Sequence, residues 1–167
     1  ERLAEAGLTL WLGDCAPLPT AECKGAADAC FQVLYTPSMA AMAQQLATLW
    51  PTLFRLRSVE WQRFPDGTPN IKFPGDLSGQ RVVFLASMSA LPTDNKRFFE
   101  DQLSLLSILP RQGVRSLDIL IPFYPVGTME RVESPGELAT ADTFALITGA
   151  ALQAPTLEGP ATISIFD

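Results

Sequence analysis

The chain has 167 residues, with 12 Lys plus Arg against 18 Asp plus Glu and a net charge of −6. Its length is that of one domain, and a 47% hydrophobic content can fill a core, which excludes a repeat array or a disordered chain. The acidic balance speaks against generic nucleic-acid or anionic-membrane binding, and the absence of histidine excludes Ser-His-Asp, Cys-His and His-bearing zinc chemistry within the chain.

Residues 1–31 are rich in Ala, Gly and Cys and are broken by Pro17 and Pro19, so they read as an N-terminal extension before a domain at 32–167. Within the extension only residues 3–12 have the pattern of a short element. Cys15, Cys23 and Cys30 fit no C-x-x-C or zinc spacing and read as reduced, structural thiols. Residues 32–36 form a short apolar run, and Met39, Met42, Ala43, Leu46 and Leu49 lie at helical spacing across 37–50. Thr36 before Pro37 reads as the cap, with proline at N1. No charge occurs from Ala29 to Phe54, but Gln32, Gln44, Gln45, Pro37 and Pro51 argue against a membrane span. No basic segment precedes an apolar core at the start, so a signal peptide is not indicated.

Residues 53–61 alternate as one strand, Pro65-Asp66-Gly67 marks a turn, and 70–73 reads as a second short strand. The run 81–86 has the apolar character of a strand buried in a parallel sheet. Asp94 caps a helix whose inner face is Phe98, Phe99, Gln102, Leu103, Leu106 and Leu109, and 117–122 is the next buried strand. Ser134-Pro135-Gly136-Glu137 has the form of a capping box and predicts a helix over 135–152, followed by a last strand at 162–166. The alternation predicts an α/β fold, a mostly parallel sheet with helices on both faces and one hairpin-like interruption around Asp66. Because the chain begins at Glu1 without Met and stops at Asp167 at a strand end, it reads as a piece of a longer protein.

In open parallel sheets, ligands collect beyond the carboxyl ends of the strands. Ser87-Met88-Ser89, the aromatic stretch 122–132 and Asp167 fall there. Taken alone, Glu130-Arg131 reads as a solvated surface pair. Neither G-x-G-x-x-G nor a Walker A sequence is present, so a Rossmann site and a P-loop are both excluded.

Arg63-Phe64-Pro65-Asp66-Gly67-Thr68, then Gly79-Gln80-Arg81-Val82-Val83-Phe84 and the Ser87 loop, resembles the R-F-x-D-G-E and R-G-x-D-V runs of the ribose-phosphate diphosphokinases, or PRPP synthetases. The likeness continues in order through Asp94-Asn95, Ile121-Pro122-Phe123-Tyr124, the Pro-Gly-Glu-Leu-Ala at 135–139 and the terminal Ile-Phe-Asp, where the family reads D-L-H-A. It spans about Val33 to Asp167, the family's N-terminal domain. The stretch Pro-Phe-Tyr-Pro-Val-Gly-Thr-Met-Glu-Arg at 122–131 is similar to the P-F-F-P-T-G-T-F-E-R of the plant-type, class II branch.

The resemblance implies a phosphoribosyltransferase-like half of a two-domain enzyme that moves diphosphate from ATP to the C1 hydroxyl of ribose 5-phosphate with Mg²⁺. It also implies self-association into dimers or larger homo-oligomers, with no nucleic-acid or membrane partner, in the cytoplasm or a plastid. Phe64 matches the aromatic that stacks on adenine, and Asp66 the neighbouring group that reads the base edge, both acting across a subunit interface. Without the resemblance they read as a buried strand-end Phe and a turn Asp. Thr68 stands where most members have Glu, and Thr128 with Met129 where the more widespread class has an Arg-Gln pair that contacts ATP. Glu130 matches an acidic position facing the phosphates and metal, Arg131 supplies local positive charge, and Asp167 matches a position at the metal. No catalytic residue of the family falls in this chain, since its basic loop and ribose-phosphate loop belong to the second half. The competing reading is a non-catalytic, PRPP synthetase-associated regulatory or assembly subunit. A plain phosphoribosyltransferase is weaker, because its PRPP loop is missing here.

Overall fold

The computed structural model describes residues 30–73, 75–86, 101–122, 124 and 131–166. Five strands form one sheet in which every pairing is parallel: β1 (Phe31–Tyr35), β2 (Phe54–Arg57), β5 (Arg81–Leu85), β6 (Ser116–Ile121) and β7 (Thr162–Ile165), in the order β2-β1-β5-β6-β7. A separate antiparallel hairpin, β3 (Glu60–Arg63) and β4 (Pro69–Lys72), is inserted between β2 and β5. The α-helices are α1 (Ala40–Leu49), α2 (Leu103–Ile108) and α3 (Thr140–Ala151).

The order dictates where the helices go. The chain steps from β1 to β2 in one direction and from β5 through β6 to β7 in the other. Crossovers of one hand therefore carry α1 and α2 to opposite faces. The core follows this division. Val33, Val83 and Leu85 pack with Met39, Ala43 and Leu46 of the α1 segment. Leu34, Val82, Phe84, Leu117, Ile119 and Ile121 pack on the other face with Leu105, Leu106 and Leu109. Trp61, Ile71 and Phe73 of the hairpin segment join this second cluster from the side. The predicted α/β sheet covered on both faces is thus present.

Three local expectations need correction. Residues 53–61 do not make one strand: β2 stays in the sheet to Arg57, and the chain leaves it at Ser58-Val59 to start β3. Both halves alternate, but the apolar positions slip by one residue at Arg57-Ser58, from Phe54 and Leu56 to Val59 and Trp61, and the break falls at that slip. The predicted helix 135–152 begins only at Thr140. One half of the capping box forms: the Glu137 carboxylate accepts from the amides of Glu133 and Ser134 at 3.0 Å each, while the Glu137 amide donates to the Ser134 carbonyl at 3.2 Å. Gly136, with φ of +94°, nevertheless turns the chain instead of starting a helix. Cys30 is disulfide-bonded rather than a reduced thiol. The seven- and eight-residue spacings carry no sign of which sulfurs meet, and Cys15 and Cys23 lie outside the described residues.

Smaller differences have local causes. Pro37–Met39 forms a single 3-10 turn before α1, and Thr36 makes no side-chain cap bond, its hydroxyl lying 3.2 Å from that of Ser38. In α2, Leu105 is buried in place of the expected Leu103, beside Leu106 and Gln102. The proposed start of that helix at Asp94, with Phe98 and Phe99, lies outside the described residues. Buried Gln32 is satisfied by Arg57, whose Nε donates to its Oε1 at 2.8 Å.

Candidate nucleotide site at the hairpin

The order of the sheet reverses between β1 and β5, so their carboxyl ends, Tyr35 and Leu85, flank the crevice where a parallel sheet offers its ligand site. The β3–β4 hairpin is fastened beside it. Trp61 donates from its indole nitrogen to the Tyr35 carbonyl at 3.3 Å and stacks on Phe84 with ring centroids 6.4 Å apart. A partly buried indole N–H is best satisfied by such an acceptor, and the last residue of β1 supplies it.

The hairpin loop is Pro65-Asp66-Gly67, closed by Phe64 and Thr68. The Gly67 amide donates to the Phe64 carbonyl and the Phe64 amide to the Thr68 carbonyl, both at 2.9 Å. Gly67 has φ of +86°, the left-handed step that a three-residue hairpin loop places before its second strand. The sequence supplies the matching chemistry: proline to start the turn, aspartate to brace it and glycine to finish it.

Phe64 stands at this apex and is 51% exposed. The reading of Phe64 as a buried strand-end residue is therefore corrected: β3 buries Trp61 in part, and the chain has left the sheet before Phe64 is reached. Asp66 Oδ1 accepts from the Thr68 amide at 3.0 Å and from the Thr68 hydroxyl at 2.7 Å. These two bonds, the amide first, hold the fully exposed Asp66 carboxyl below its ordinary value of 3.8. A depressed carboxyl stabilises the loop above its ordinary pKa, and that contribution is lost only as pH falls through the lowered value. Both bonds use Oδ1, and the carboxylate as a whole stays exposed to solvent.

The other expected site residues are not brought together among the described residues. Arg131 is described and exposed, beyond β6. Thr128, Glu130, Asp167 and the Ser87-Met88-Ser89 loop lie outside the described residues. Tyr124 is partly buried against the α2-side core, which pushes its hydroxyl further up from 10.0 and keeps it protonated at neutral pH. Among the described residues no group of three or more His, Cys, Asp or Glu could hold a metal, so they do not by themselves make a Mg²⁺ site. No helix among them is long and apolar enough to cross a membrane.

No protein-family profile matches the chain. Individual relatives do. A spinach protein named mitochondrial ribose-phosphate pyrophosphokinase 3 is 37% identical over 138 residues, which covers 81% of this chain and 32% of the relative. This chain belongs to the ribose-phosphate pyrophosphokinase family. A rice protein named chloroplastic ribose-phosphate pyrophosphokinase 3 is 36% identical over 157 residues, 91% of this chain and 36% of the relative. Rice ribose-phosphate pyrophosphokinase 4 is 35% identical over 137 residues, 81% of this chain and 40% of the relative. The chain thus spans about a third of the curated ribose-phosphate pyrophosphokinases it matches. A phosphoribosylpyrophosphate synthetase from Mycobacterium smegmatis superposes with a TM-score of 0.65 at 16% identity, over 81% of this chain and 48% of that one. At that identity the likeness establishes the fold.

The motif at 63–68 singled out Phe64 and Asp66 as candidates. It assigned no role to Arg63, whose contact with Asp101 closes over 38 residues of sequence.

Proposed function

We propose that this chain is the N-terminal half of a ribose-phosphate diphosphokinase, and that its hairpin apex holds the adenine of ATP. The observation that carries the reading is a large aromatic ring, Phe64, held half-exposed at the end of a hairpin whose base is anchored to the carboxyl end of the sheet. An exposed phenyl ring on a braced loop has a face free for stacking, and a base stacked on such a ring gains about 1–3 kcal/mol.

In the proposed reaction the C1 oxygen of ribose 5-phosphate attacks the β-phosphorus of ATP. The bond from that phosphorus to the α,β-bridging oxygen breaks, the hydroxyl proton is lost, and AMP leaves. Such a transfer depends on in-line positioning and charge neutralisation and requires no protein nucleophile. That suits a chain without histidine. Mg²⁺ bound with the nucleotide would neutralise phosphate charge, with Asp167 and Glu130 the proposed acidic partners and Arg131 a proposed cationic one. Thr128 is proposed to line the same phosphate side, and Thr68 to act through its brace on Asp66.

Self-association is proposed for the apolar surface at the β7 side of the sheet, where Ile163, Ile165 and Phe166 are exposed at an edge strand. The names of relatives from spinach and rice point to organelles, so a plastid or another organelle is proposed alongside the cytoplasm.

Asp66 gives the test of base reading. Asp66→Ala in the full-length protein is expected to narrow the preference for ATP over GTP about tenfold, because a buried or paired edge contact is what rejects the wrong base. Competition between ATP and GTP measures this directly, and an unchanged ratio would remove Asp66 from the base edge.

A further inference from the structure

We infer that Arg63 is a positioning residue for the nucleotide-facing loop, clamping it to the start of α2 through Asp101. The inference rests on the reading of Phe64 and Asp66 as nucleotide contacts.

The Arg63 guanidinium spans two places. Its Nη2 meets Asp101 Oδ1 at 2.8 Å, with side chains only 25% and 15% exposed. Its Nη1 donates to the carbonyl of Gly67, inside the loop itself. One planar, permanently charged group thus ties the third residue of the loop to the residue just ahead of Gln102 and α2. The hairpin base is held at Trp61, but Phe64 lies beyond that anchor. Without a second tether the apex could swing about the base. Two attachment points on different elements fix where the loop carrying Phe64 and Asp66 stands, and this placement is set before any ligand arrives.

A partly buried, charge-assisted bond at 2.8 Å is stronger than an exposed pair. Lysine cannot reproduce it, because an ammonium offers one point of charge where the guanidinium reaches both acceptors. Preorganisation of this kind lowers the cost of binding and leaves the chemical step alone. Its loss should therefore appear in the Michaelis constant for ATP.

The experiment is steady-state kinetics of the full-length protein with ATP and ribose 5-phosphate, comparing Arg63→Ala, Arg63→Lys, Asp101→Asn, the Arg63→Ala/Asp101→Asn double variant and Phe64→Ala. Each clamp variant is expected to raise the KM for ATP roughly three- to tenfold, with kcat and the KM for ribose 5-phosphate unchanged. The double variant should be no worse than Arg63→Ala, because that variant already lacks the Asp101 contact. Should Arg63→Ala fold poorly, the near-isosteric Asp101→Asn carries the same comparison. Clamp variants that leave the ATP KM unchanged while Phe64→Ala raises it would overturn the clamp alone. Multiplying effects in the double variant, or equal loss of kcat for all substrates, would assign Arg63 to general stability and overturn the clamp as well. If Phe64→Ala also leaves the ATP KM unchanged, the nucleotide reading fails, and the clamp fails with it.

Discussion

Phe64→Ala in the full-length protein is expected to raise the KM for ATP tenfold or more while the melting temperature stays within about 2 °C of the parent. The first half follows from the ring's proposed role, since a lost stacking face worth about 1–3 kcal/mol multiplies a dissociation constant by roughly 5 to 150. The second half follows from its exposure. The ring is 51% exposed at a loop apex, so its removal opens no cavity and returns little apolar surface to water. Melting curves and ATP titrations on the same preparation check both halves. An early melt with an intact ATP dependence would return Phe64 to a structural role.

Phe84→Ala should do the reverse. Phe84 is fully buried in β5, between Leu34 of β1 and Ile119 of β6 in register, and it carries the stacked Trp61 ring. Truncation removes the transfer energy of the ring and leaves a cavity that flanking strands cannot close, at a cost of about 3–5 kcal/mol. For a domain of this size that lowers the melting temperature by on the order of 10 °C. Denaturant and thermal unfolding measure the loss. A drop of only a degree or two would mean that the sheet and hairpin do not share the core described here.

The contrast between these two phenylalanines shows what the sequence carried. Phe84 sits in an uninterrupted apolar run, the signature of a strand covered on both faces, and apolar runs broken only by Gln32 and Asp118 placed β1 and β6. Phe64 is followed by Pro-Asp-Gly, and that turn chemistry was legible as a hairpin. Three things were not legible. The break between β2 and β3 leaves only a one-residue slip in the alternation at Arg57-Ser58, and tertiary pairing decides which half joins the sheet. The capping contact at Glu137 forms without its helix, because Gly136 is equally at home in a left-handed turn. The Arg63–Asp101 pair joins residues far apart in sequence, and no local period records it. Of the candidate site, the hairpin part with Phe64, Asp66 and Thr68 was readable from one motif. Its assembly against α2 depends on how the two elements dock.

The fold, the braced hairpin and the family together make one chemical claim, that the full-length protein moves diphosphate from ATP to ribose 5-phosphate. Product analysis of that protein with Mg²⁺, ATP and ribose 5-phosphate tests it most directly, with the 167-residue chain alone as the control. PRPP and AMP should form in equal amounts, only when the sugar phosphate is present, and the isolated chain should form neither. ATP binding by the full-length protein without any PRPP would contradict the claim and identify a non-catalytic associated subunit instead.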